Sequence, residues 1–528
     1  MSVEPADRTV DRRAFLARTA ALAAVTTAGA VALPAVARAT GARKPGLDNP
    51  NAFVRPESFD DPTELTIAEA AWLIRERRLR PEELLEAYLA RIAAFDGTYK
   101  AFNLVLAEQA RSAVGRRPGR GALEGIPLAI KDNYYTAGVH TTANSFLFKD
   151  FVPPFDATAV ARLKAAGGIV VGKTQMGPLA TTRATTPDGV VTTVNAWTPT
   201  NPNQDPGGSS TGTATAVAGR MVTSGIGTQT GGSITAPSNA QNLTGIKPTM
   251  GRVSLHGIIP LTYTRDHPGP LARDAKDAAI MLTAMAGEDP EDPRTQGLPD
   301  VPNLIDAATP VRHRGSVKLR WNTRIGVPPG FATGTSATAL ARQAFLAALA
   351  AIPGATVVEV PLPDEWNLLT GNTFNNVRLP ERSEPFMPYL RDDLRGFGVS
   401  LTGWLQGALF GGNEFLTGQR AKVLLLERVL DQIFDKCDVV LQTGPVPFDI
   451  IGLPEIAFPI GFTAAGVPIG TILGGLPYAE DRLFSVVAAY QAVTDWHTRR
   501  PADPPAGAAA VRGAALRLTA DQVAELSQ

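Results

Sequence analysis

The chain has a single cysteine among its 528 residues, Cys437, which excludes an internal disulfide and any cysteine-based zinc cluster. Histidine is almost as scarce. His140, His256, His267, His313 and His497 are scattered, without the HExxH spacing of a helical zinc protease. Net charge is missing altogether: 50 Lys and Arg balance 50 Asp and Glu. A neutral chain is a poor candidate for counterion-driven nucleic-acid binding, although a local basic patch stays open. The apolar fraction of 44% and charged fraction of 19% fit a folded globular protein. Beyond the amino terminus, no stretch is long and apolar enough to span a bilayer.

The amino terminus reads as an address. Arg12 and Arg13 open it, Ala20 to Val36 is mostly small and apolar, and Ala37-Arg38-Ala39 forms an A-x-A cleavage pattern. This is the twin-arginine form of a bacterial export signal. Residues 1–39 are therefore expected to be removed, leaving a mature chain from Thr40 in the periplasm or outside the cell. The competing reading is a retained membrane anchor. The Ala-, Thr- and Gly-rich composition and Pro34 weigh against it.

The mature chain is expected to open with helices. Thr66 and Glu69 form a capping box before an apolar-periodic run from Ile67 to Arg77. Pro81 starts a second helix, and a third is expected around Asn103 to Val114. Strands at Pro127–Ile130 and Ile169–Val171 then bracket a helix at Ala157–Ala166, an alternation that favours an α/β core. Gly287–Pro302 reads as a surface loop, Asn413–Asp435 as a long helix and Val439–Gln442 as a strand. The Pro- and Ala-rich run Pro501–Ala510 reads as a linker before a short helix near Thr519–Leu526. Gly167 to Thr174 satisfies the P-loop pattern GxxxxGK[ST], but three β-branched residues fill its middle and a helix precedes it. It is expected to be a buried strand, not a phosphate loop.

Three motifs carry chemistry: Gly125 to Asn133 (GIPLAIKDN), Pro206 to Gly212 (PGGSSTG) and Gly227 to Ile234 (GTQTGGSI). Taken singly, Lys131 could be a surface lysine and either Gly-Ser run a tight turn. Together they say more. Lys131 ends an apolar strand, where burial would lower its pKa and leave a neutral amine able to act as a general base. Glycines beside Ser233 let backbone N–H groups converge on one spot. A serine, an amine base and clustered backbone donors make an acyl-transfer site.

The three motifs in this order resemble the amidase signature family, with its Ser–Ser–Lys triad. The resemblance runs from the helices near Thr66 to Pro477. It includes Asn242 to Pro248 (NLTGIKP), Gly251 to Ser254 (GRVS) and Gly269 to Asp274 (GPLARD). It implies one large α/β/α domain over residues 40–500, with a mixed, largely parallel sheet covered by helices on both faces, and residues 501–528 as linker and terminal helix. It implies Ser233 as nucleophile and Ser209, after a cis peptide bond from Gly208, as the bridging serine. Lys131 would be the base. The N–H groups of Thr230, Gly231, Gly232 and Ser233 would form the oxyanion hole, with Ser210 a hydrogen-bonding partner behind the triad. No metal or organic cofactor is implied. The sequence departs from the family pattern at Gln229, where Asp is usual, and at Thr235, where Arg is usual. The two changes read as a compensated swap behind the triad. Thr211 and Thr213 replace a usual Gly and Ser.

Specificity is expected from other segments. Trp366 to Phe415 carries Trp366, Phe374, Phe386, Tyr389, Trp404 and Phe410, which could line an apolar pocket or simply pack a core. Tyr134, Tyr135, Met176, Phe374 and Trp404 are the candidate substrate contacts. They favour a fairly large apolar or aryl amide, or a peptide amide. An ester or carbamate hydrolase would use the same triad. An amidotransferase component working with tRNA is disfavoured by the export signal and zero net charge. A non-catalytic binding protein would need no triad.

Overall fold

The structure, a computed structural model, describes residues 46–114, 121–371, 377–505 and 516–526. The expected export signal lies outside the described residues. So do Phe374 and most of the linker before the terminal helix. That helix spans Ala520–Leu526. The described residues from 46 onward belong to one compact unit. No helix among them is long and apolar enough to cross a membrane.

Helix α1 (Ile67–Arg75) begins at the expected capping box. Thr66 Oγ1 accepts the Glu69 N–H, and the Glu69 carboxylate accepts the Thr66 N–H at 3.0 Å. It stops short of Arg77, which takes a left-handed φ of 58°. Helix α2 (Pro81–Tyr99) follows. The third expected helix is shorter than its sequence range. Phe102–Val105 is instead strand β1, paired antiparallel with strand β3 (Ile169–Thr174), and only Ala107–Ala113 is helical, as α3. Pairing to an open sheet edge overrides local helix preference there.

Strands β2 (Pro127–Lys131), β4 (Ser224–Gln229), β5 (Thr244–Lys247) and β6 (His267–Ala272) join β1 and β3. A small hairpin, β7 (Val311–His313) and β8 (Ser316–Lys318), stands apart from the main sheet. Strands β9 (Thr323–Val327), β10 (Ala355–Glu359), β11 (Val439–Gln442), β12 (Glu455–Phe462) and β13 (Pro468–Gly475) complete it. The eleven-stranded sheet has the order β1-β3-β2-β4-β6-β5-β12-β13-β11-β9-β10. It is mixed. Parallel pairing holds in two blocks, β3-β2-β4 and β11-β9-β10, and antiparallel pairs join them.

Side-chain alternation shows both faces covered. Leu128, Ile130 and Val170 enter one apolar core with α1, while Ala129, Ile169 and Val171 enter a second with Leu85, Leu89 and Ile92 of α2. Helix α4 (Thr158–Ala165) forms as expected, and the P-loop lookalike is the wholly buried β3. The expected surface loop Gly287–Pro302 is anchored inward: Asp289 accepts from Thr158 Oγ1, and Asp292 accepts the Leu255 N–H at 2.7 Å. The long helix spans Gly412–Arg428 and continues as one wider turn, Val429–Ile433.

Candidate active site

The parallel neighbours β2 and β4 end side by side, and their carboxyl ends carry Lys131 and Thr228-Gln229. Helix α5 (Thr211–Ala218), built of small residues and buried along its whole length, brings Ser209 and Ser210 to the same place from its amino end. The Gly208–Ser209 peptide bond is cis. Helix α6 (Thr235–Ala240) follows the loop that holds Ser233. Gly232 takes φ +93°, and a side chain there would also strike Pro445.

Lys131 is fully buried, and its Nζ lies 2.8 Å from Ser209 Oγ. The same nitrogen contacts Thr228 Oγ1 at 2.9 Å and Thr228 O at 3.2 Å. Burial pushes its pKa down to about 7, opposed by the charge of Asp266. A neutral amine has two N–H groups and one lone pair. Thr228 can take both N–H groups, which turns the lone pair toward the Ser209 hydroxyl. Ser210 donates its N–H to Ser233 O at 3.3 Å and its hydroxyl to Thr228 O at 3.3 Å. The two serine segments are thus tied together through backbone. Among the described residues, the Ser233 hydroxyl itself has no side-chain hydrogen bond. Gly231 is exposed, with open space where a side chain would project, whereas Thr230 and Gly232 are buried.

Several supporting residues escaped sequence reasoning. The buried Asp266 accepts from the Thr230 hydroxyl and from the N–H groups of Leu261 and Thr262, at 2.7 and 3.0 Å. Burial raises its pKa. Lys173, from the P-loop lookalike, pairs with Asp132 at 3.2 Å and donates to Tyr134 O and Thr141 Oγ1. It thereby fixes the turn just after Lys131. Gln229 and Thr235 do meet, but not as side-chain partners: Gln229 Oε1 accepts the Thr235 backbone N–H at 2.9 Å. Asp266 and Lys173 come from distant segments, and no local spacing announces them.

Of the candidate substrate contacts, three are core side chains. Tyr134 is fully buried, and its hydroxyl donates to Gly227 O at 2.6 Å. Met176 and Trp404 are equally inaccessible, packed with Leu179, Phe386 and Phe397. Only Tyr135 is partly open, with its ring against Phe151 and Phe155. A separate apolar cavity of about 200 Å³ lies off the end of β11, lined by Leu362, Trp366, Ile433, Val446 and Phe448. Its wall at Gly444 leads to Pro445, the residue seated against Gly232. Among the described residues, no group of three or more His, Cys, Asp or Glu is placed to hold a metal ion.

The family model described as Amidase matches residues 83–391. A glutamyl-tRNA(Gln) amidotransferase component from Roseiflexus sp. (strain RS-1) is 34% identical over 491 residues, covering 83% of this chain and 98% of the relative. Native peptide amidase from Stenotrophomonas maltophilia superposes with a TM-score of 0.67 at 27% identity, over 84% of this chain and 99% of that one. The 6-aminohexanoate cyclic dimer hydrolase shares the fold, with a TM-score of 0.71 at 23% identity, over 84% of this chain and 99% of that one.

Proposed function

The chain belongs to the amidase family, and on that premise we propose that it hydrolyses a carboxamide through an acyl-enzyme on Ser233. The observation that carries this mechanism is the buried Lys131 amine, 2.8 Å from Ser209 Oγ. In this reading Lys131 takes the Ser209 proton, Ser209 takes that of Ser233, and Ser233 Oγ attacks the carbonyl carbon. Backbone N–H groups of the 230–233 loop receive the oxyanion, with exposed Gly231 on the open side. The proton returns through Ser209 to the leaving nitrogen, which departs poorly as an anion. Water then cleaves the ester to Ser233 by the reverse relay.

The substrate we favour is an apolar, aryl or peptide amide. The cavity beside Pro445 supports it, since about 150 Å³ of apolar space accepts a benzene-sized group. A peptide amidase among the structural neighbours points the same way. Hydrolysis of para-nitroanilides, anilides, peptide amides, carbamates and nitrophenyl esters tests this. Anilide or peptide-amide turnover lost in Ser233→Ala and Lys131→Ala is the expected result. Turnover of esters or carbamates alone would move the substrate class while keeping the site.

A second reading, an amidotransferase component, draws on the 34% identical relative. The twin-arginine segment and the balanced charge favour a stand-alone enzyme working outside the cytoplasm. Ammonia release from glutamine exceeding anilide turnover would reverse that preference.

A further inference from the structure

Behind the Ser233 loop lies a buried polar cluster that the proton relay does not use. Gln229 Oε1 accepts the N–H groups of Ile234 and Thr235, both at 2.9 Å, the first two amides after Ser233. Its Nε2 donates to Asp449 Oδ1 at 2.9 Å and also to Glu455 Oε1. Gln442 Nε2 donates to the other Glu455 oxygen at 3.0 Å. Lys247 Nζ lies 3.7 Å from Asp449 Oδ1 and donates to Leu453 O and Phe448 O. Gln229, Asp449, Glu455 and Lys247 are fully buried. Asp449 Oδ2 is buried without a hydrogen-bond partner. Burial raises the Asp449 carboxyl above its usual range, opposed by the nearby Lys247 and Arg265, by Gln229 and by the Gly232 N–H.

Two acids therefore meet at one carboxamide in a dry interior. Burial and the charge of Asp449 push the Glu455 carboxyl well above its usual range. A carboxamide suits the junction for a simple reason. It accepts from two backbone amides on one side and donates to two carboxyls on the other. An acid at position 229 would lose both N–H donors and set three carboxyls together. The departure from the family's Asp is thus matched to Asp449 and Glu455, rather than to the side chain of Thr235.

We propose that Gln229 is a positioning residue that ties the Asp449–Glu455 pair to the amides following Ser233, and so fixes the loop that presents the nucleophile and its oxyanion donors. This rests on reading Ser233 as the nucleophile. Because Gln229 acts through the loop, exchanging acid and amide between positions 229 and 455 should restore what either misplacement destroys. A cluster that merely fills space would show no such exchange.

The test is the rate at which an alkyl fluorophosphonate labels Ser233 in the whole chain. The Ser233 oxygen bonds to phosphorus, fluoride leaves, and the serine proton passes to the relay. The rate is followed by intact mass and the site by peptide mapping. Gln229→Glu is expected to label about 10²-fold more slowly, the cost of disturbing an oxyanion donor. The Gln229→Glu/Glu455→Gln double variant is expected to recover at least about tenfold, a coupling of the size seen between residues in contact. If Gln229→Glu does not fold, Gln229→Met serves, with labelling expected to be at least about tenfold slower because all four hydrogen bonds are lost. Labelling of the folded single variant, or of Gln229→Met, within about threefold of wild type overturns the proposal. So does a double variant no faster than Gln229→Glu. Failure of the underlying reading looks different: the wild type itself would be unlabelled, or labelled at a residue other than Ser233.

Discussion

At the scale of single residues, the proposed role of Lys131 predicts a definite response to pH. Burial lowers its pKa from an ordinary 10.5 to about 7. With the neutral amine as the proposed base, kcat/KM should fall about tenfold per pH unit below that value and level off above it. Stability follows the same group with a definite sign. Between about 7 and 10.5 the unfolded chain binds the proton that the folded chain lacks, so stability rises with pH across that window. Urea denaturation should accordingly show Lys131→Met more stable than wild type near pH 6, by a margin that shrinks toward pH 10. Asp266 opposes the shift. In Asp266→Asn the acidic limb of the rate profile should move to lower pH, and the plateau should drop because the Thr230 hydroxyl loses its carboxylate acceptor. An unmoved limb would remove Asp266 from the electrostatics of the site. Lys131 was legible in the sequence because it ends an apolar strand. Asp266, Asp449 and Glu455 were not, since only the fold brings them to the site. Tyr134, Met176 and Trp404, candidate contacts in the sequence, are buried core side chains, because pocket wall and core draw on the same apolar residues.

At the scale of elements, the site depends on how closely β4 and α5 approach. A side-chain carbon at Gly227 would lie 2.9 Å from Leu271 Cδ1 and closer still to Ser210 Oγ. Gly227→Ala is therefore expected to destabilise by about 1–3 kcal/mol through overpacking. Activity should fall beyond what the lost folded fraction explains, which chemical denaturation and kcat measured on the same sample would show. The strands and helices with strong periodicity, β2, β3, α2 and α4, could be read from the chain directly. Strand β1 could not. Its residues Phe102–Val105 also suit a helix, and the partner that makes them a strand is β3, some seventy residues away.

At the scale of the whole molecule, motif order carried the fold further than periodicity did. Alternating strands and helices indicated an α/β core, but the central antiparallel run from β4 through β11 has no local signature. The amino-terminal segment makes its own prediction. Replacing Arg12 and Arg13 with Lys should keep the precursor in the cytoplasm, whereas the native chain should be recovered outside it, shortened to begin at Thr40. Equal export of both forms, followed by cell fractionation, would contradict the address.

The most direct test of the central claim is to trap the acyl-enzyme. A nitrophenyl ester mixed rapidly with the purified chain should give a burst of nitrophenol. Acid quenching and peptide mapping should place the acyl group on Ser233. Ser233→Ala should carry none, and Lys131→Ala should acylate at least about 10²-fold more slowly, as expected for loss of a general base. An acyl group on any other residue, or a full burst in Ser233→Ala, would contradict the account.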